Sequence, residues 1–115
     1  MLWSIAKDEF NQELLKGQEA RQAGFEGRAR VCARRAAGVV VRAYLARREM
    51  PVPGLSAYDL LVYLQGIPDI PVRVREAAER LAMRVDEDFT LPAETDLLEE
   101  ARQLAQGLEA RLVDQ

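Results

Sequence analysis

Between Phe25 and Glu49 the chain reads FEGRARVCARRAAGVVVRAYLARRE, a proline-free stretch whose apolar residues fall on two faces of a helix rather than one. At 100° per residue, Phe25, Ala29, Cys32, Ala33, Ala36, Val39, Val40 and Ala43 make one broad stripe. Most of these side chains are small, which lets a neighbouring helix approach to the short end of the usual range of about 8–10 Å. Val31, Gly38, Val41 and Leu45 make a second, narrower stripe, interrupted by Arg34. A helix of this kind needs covering on both sides and therefore belongs at the centre of a bundle. Between the stripes Arg28, Arg35 and Arg42 recur every seven residues and line one edge.

The flanking segments supply its partners. From Leu2 to Ala23 the spacing of Trp3, Ala6, Phe10, Leu14 and Gly17 predicts a first helix with Ser4 as a candidate N-cap and Trp3 as a core or interface anchor. Gly24 and Gly27 mark the turn into the central helix. Met50-Pro51-Val52-Pro53-Gly54 stops that helix, because proline removes a donor and disfavours helical geometry in the residue before it. Ser56, with Asp59 three positions on, opens a short third helix carrying Leu60, Leu61, Tyr63 and Leu64. Pro71 fits the first turn of a fourth, whose apolar positions are Val74, Ala77, Ala78, Leu81, Ala82 and Val85. From Ala93 to Val113 the spacing of Leu97, Leu98, Ala101, Leu104, Ala105, Leu108 and Leu112 predicts a fifth. No segment alternates with period two. The expectation is an all-α, five-helix up-and-down bundle forming a single domain over residues 1–115.

The residues present exclude several kinds of chemistry. The chain has no histidine, which removes histidine acid–base catalysis, Ser-His and Cys-His pairs and histidine zinc sites. Its one cysteine, Cys32, lies on the broad apolar stripe and reads as a buried core residue. Asp86-Glu87-Asp88 is the one candidate for a hard cation, but it follows no known ligand spacing, so neither metal nor cofactor is expected. No run approaches the roughly 20 apolar residues of a membrane span, no signal core opens the chain, and a cytoplasmic protein is expected. The net charge of −3 hides an asymmetry. Residues 1–50 sum to +4 and residues 51–115 to −7. The halves can pair with each other, or the basic half can face an acidic partner or a phosphate. The same choice applies to Arg28, Arg35 and Arg42, which can pair with Glu99 or Glu100 of the fifth helix, or bind a partner's carboxylates or a nucleotide phosphate through their planar forks.

Ala33-Arg34-Arg35-Ala36-Ala37-Gly38-Val39-Val40-Val41-Arg42-Ala43-Tyr44-Leu45 resembles the second helix of HEPN domains, where a run of the type A-Q-Q-A-A-E-L-A-L-K-A-L-L is usual. In that family a Pro/Gly loop leads to a short helix near T-H-D-L, here Ser56 to Leu60. A fourth helix then ends in a loop of the type T-R-Y-P, here Phe89-Thr90-Leu91-Pro92. Tyr58 stands where the family often has histidine, Thr90-Leu91 replace its R-Y, and Gly38 replaces its glutamate, while Arg42 keeps the positive charge of its lysine. The nuclease members cut RNA with an arginine and a histidine, and that histidine has no counterpart here. The resemblance thus implies a non-catalytic, regulatory HEPN-like subunit beside a minimal nucleotidyltransferase, in a toxin–antitoxin-like module. The alternatives are a structural helical adaptor of unrelated ancestry and a degenerate ribonuclease. No membrane or nucleic-acid partner is expected.

A homodimer is also expected, on the second stripe. Gly38 costs about 1 kcal/mol relative to alanine inside a helix and is best kept where another backbone comes close. Val31, Gly38, Val41 and Leu45, with Arg34 at the edge, are therefore candidates for a two-fold interface, and the family resemblance implies the same pairing.

Overall fold

A computed structural model describes residues 2–52, 54, 56–83 and 95–113. Among them are five helices and no strand: α1 (Leu2–Gln22), α2 (Glu26–Arg47), α3 (Ala57–Gln65), α4 (Val72–Ala82) and α5 (Leu97–Val113). The all-α five-helix bundle expected from apolar spacing is present.

The helix ends show why the boundaries fall where they do. α1 closes through Gly24, whose φ of +89° suits a residue without a side chain. The Phe25 N–H reaches back to the Ala20 carbonyl at 2.8 Å and the Gly24 N–H to that of Arg21 at 3.0 Å. α2 closes in the same way, with Met50 N–H on Leu45 O at 2.9 Å and Glu49 N–H on Ala46 O at 3.1 Å. Here the left-handed position is taken by Glu49, at φ 57°. This closure ends α2 at Arg47, before the prolines that had been expected to end it.

Ser56 caps α3 as expected, its Oγ accepting from the Asp59 N–H at 3.0 Å. Pro71 stands at the N-cap of α4 rather than inside its first turn. α5 begins at Leu97 because Asp96 caps it, Oδ1 accepting from the N–H groups of Leu98 and Glu99 at 3.1 and 3.3 Å. The expected start at Ala93, the end of α4 near Val85, the Asp86-Glu87-Asp88 cluster and the Phe89–Pro92 loop lie outside the described residues.

α1 and α2 pack along their length in an antiparallel pair. α3 and α4 pack on each other, and α5 lies against both α2 and α4. At the centre, Ala29, Ala33, Ala36, Ala37, Val40, Val41, Tyr44 and Leu45 of α2 are fully buried. The basic and acidic halves are joined by ion pairs between Lys7 and Glu109 (2.9 Å), Arg21 and Asp96 (3.0 Å) and Arg48 and Asp69 (2.9 Å).

Two expectations are corrected. Gly38, Val41 and Leu45 of the second stripe of α2 are covered within the same chain. Gly38 lies against α3 so closely that a Cβ placed on it would sit 2.9 Å from the Ala57 Cβ, and Val41 and Leu45 are 0% exposed. Arg34 is no rim residue either. Its Nε and Nη2 donate to the carbonyls of Leu81 and Met83, each at 2.8 Å, and tie off the end of α4. Of that set only Val31 faces solvent, at 42% exposure. Phe25, placed on the broad buried stripe by its spacing, is 56% exposed, because it precedes the first turn of α2 and turns away from the core.

Candidate functional site

The arginine edge of α2 faces the seam with α1, and along that seam run three adjoining depressions. The largest, about 660 Å³, lies at the α1–α2 turn between Lys16, Ala20, Phe25, Arg28, Val31 and Arg35. The middle one, about 280 Å³, is bounded by Glu13, Arg35, Val39 and Arg42 and reaches Ala57 and Leu60 of α3. The third, about 260 Å³, lies between Ile5, Glu9, Val39, Arg42 and Ala46. Arg35 is shared by the first two, and Val39 and Arg42 by the last two, so the three form one groove.

All three members of the expected arginine set line this groove, and its position follows from helical geometry. Positions 28, 35 and 42 are two turns apart on α2, so they track one side of the helix. On α1 the residues turned to the same side are Ile5, Glu9, Glu13, Lys16 and Ala20. Sequence reasoning named none of these as site residues, although their spacing of three or four is helical. Phe25 was also missed. It forms the end wall, with the Arg28 guanidinium carbon 5.2 Å from its ring centroid, within range of a cation–π contact.

The fifth-helix glutamates do not neutralise the edge. Glu99 accepts from Arg102 and Gln103 of its own helix, and Glu100 from Arg80 of α4. Among the described residues neither Arg28 nor Arg35 has a carboxylate within 4.0 Å. Glu13 is held in the groove wall, with Oε1 3.7 Å from the Lys16 Nζ and Oε2 buried without a hydrogen-bond partner.

The carboxylates held below their ordinary values lie elsewhere and serve as clamps between helices. Glu109 is lowered by its hydrogen bond from Lys7, helped by Trp3 Nε1 at 3.3 Å. For Asp96 burial pulls upward, but the hydrogen bonds from Arg21 and the α5 N–H groups outweigh it and hold the group low. Asp69 is lowered chiefly by its hydrogen bond from Arg48 and sits 2.7 Å from Arg111 as well. Each shift is explained by an ion pair joining two parts of the bundle, not by a cleft.

Among the described residues no three His, Cys, Asp or Glu lie together as metal ligands, and no helix is long and apolar enough to cross a membrane. Cys32 is 5% exposed beneath the largest depression. The arrangement is suited to holding a polypeptide or an anion: an apolar wall from Phe25 and Val31, with Lys16, Arg28 and Arg35 set against the single acid Glu19. Comparison with protein-family models, with curated proteins and with solved structures found none that matches.

Proposed function

We propose that this chain is a helical adaptor, a binding module that acts by docking a partner in the α1–α2 groove. The observation that carries this reading is the coexistence, in one groove, of two solvent-facing apolar side chains, Phe25 and Val31, and two arginines, Arg28 and Arg35, without carboxylate partners among the described residues. Exposed apolar surface ringed by charge is costly to keep unless something covers it. The helix beneath it is rigid, since the opposite face of α2 is fully buried, so the groove presents its side chains in fixed register.

The narrower reading, a regulatory HEPN-like subunit that partners a nucleotidyltransferase and takes a nucleotide phosphate on the Arg28, Arg35, Arg42 edge, draws its support from the resemblance of residues 33–45 and the order of elements. A two-fold pairing of the chain would have to use the groove, where Val31 lies, or another face, because Gly38, Val41 and Leu45 are buried within the chain and Arg34 is bonded to the end of α4. The test of the docking reading is photo-crosslinking in native lysate from a benzoylphenylalanine at Val31, with Val72 on α4, also exposed, as the comparison site. The expected outcome is a discrete adduct from position 31 and none from position 72.

A further inference from the structure

Resting on the reading of the groove as a docking site, we infer that its occupant is an acidic amphipathic helix of a partner protein, lying parallel to α1 with its C-terminal half over Arg28 and Arg35. The groove runs beside α2 from Gly27 to Ala46, which at about 1.5 Å per residue is roughly 28 Å. Its two walls are antiparallel helices, and a seam between two such helices receives a third whose apolar stripe points into it. Phe25, Val31, Val39 and Ile5 give that stripe successive contacts along the groove.

The charges choose among the occupants and orient the one chosen. At the Phe25 end Lys16, Arg28 and Arg35 face Glu19, with Glu13 of the middle depression 3.7 Å from Lys16; at the other end Glu9 stands beside Arg42. A nucleic-acid strand is negative along its whole length and would meet Glu9, Glu13 and Glu19 on the same wall, which opposes phosphate binding by the arginines. A helix is not uniform. Its C-terminus carries the negative end of the macrodipole and its N-terminus the positive end. Glutamates in the C-terminal half therefore match the Phe25 end, and the N-terminal half matches the end holding Glu9.

The test uses the full chain and a fluorescein-labelled synthetic 18-residue peptide with leucines at helical spacing and glutamates in its C-terminal half, read by fluorescence polarisation. The expected result is saturable binding that the double variant Arg28→Glu, Arg35→Glu weakens about tenfold or more. Arg73→Glu on the exposed surface of α4 leaves it unchanged, and a peptide with lysines replacing the glutamates regains affinity for the double variant. Circular dichroism of each variant verifies folding, and a peptide with its glutamates moved to the N-terminal half is expected to bind more weakly. Absence of binding, equal affinity for the double variant, or tighter binding of poly(U) than of the peptide overturns the inference. So does sedimentation as a dimer that Phe25→Glu dissociates, since the groove is then filled by a second copy. If position 31 crosslinks a partner but the peptide does not bind, docking in the groove stands and the acidic helix falls; adducts from position 72 alone end both.

Discussion

Two adjoining strips of α2, one apolar and one rich in arginine, meet opposite fates. On the α3 side Gly38, Val41 and Leu45 are sealed, with Ala57 set against the glycine and Arg34 tied to the end of α4. On the α1 side Arg28, Val31, Arg35 and Arg42 line an open groove. An apolar stripe thus marks where a helix is covered, not by whom. The stripe that suggested a second molecule is filled by a nine-residue helix of the same chain, and the edge that suggested pairing with α5 is left facing outward.

Leu45→Ala and Val31→Ala test this difference most strongly. The first removes a fully buried side chain and is expected to cost about 2–5 kcal/mol in urea unfolding; the second, at a solvent-facing site, is expected to cost no more than about 0.5 kcal/mol. Similar losses at both sites would abolish the distinction between a sealed and an open side. A glycine pair gives a smaller contrast with a change of sign. Gly38→Ala gains helix propensity but drives a methyl against the Ala57 Cβ at 2.9 Å and its Cα at 3.2 Å, backbone that cannot easily give, so a net loss of about 1–3 kcal/mol is expected. Gly27→Ala, with nothing within 4 Å, is expected to stabilise by up to about 1 kcal/mol.

The acid limb of the stability curve sharpens the account of the clamps. Asp96 and Glu109 are held below 3.8 and 4.5, so the unfolded chain takes up their protons first as pH falls. Their contribution is fully present above those values and is lost as pH drops through the lower folded-state ones. Thermal melting from pH 6 to pH 2.5 should show Tm falling in the acid range, with a shallower fall in Asp96→Asn. Both groups are partly exposed, so solvent screening keeps the effect modest. An acid limb identical in the variant would remove Asp96 from the account. The smallest expected change is in Arg35→Gln, which should leave stability within about 0.5 kcal/mol while weakening partner capture; a lowered Tm with unchanged capture would make Arg35 a structural residue.

Helix positions were legible in the sequence because period and punctuation are local. The caps at Ser56 and the turn at Gly24 could be read for the same reason. What could not be read depends on encounters across the chain. Arg34 looked like a charge breaking an apolar stripe, since its two carbonyl partners lie 47 and 49 residues away. Phe25 matched the buried stripe by angle but precedes the first helical turn, where the 100° rule does not apply. The end of α2 was assigned to proline, although a non-glycine residue, Glu49, had already taken the left-handed conformation that closes the helix. For the candidate site, the recurrence of arginine every seven residues gave one wall of the groove. The α1 wall stayed hidden because periodicity on one helix carries no information about its register against another.

The place of α5 also has a consequence for synthesis. Leu97, Leu98, Leu104 and Leu108 are buried, and their helix lies against both α2 and α4. A nascent chain that has delivered α1 to α4 can form its two helical pairs from contacts close in sequence, but the apolar faces of α2 and α4 that α5 covers remain exposed until α5 emerges. During that interval the chain is at its most vulnerable to aggregation and to capture by chaperones.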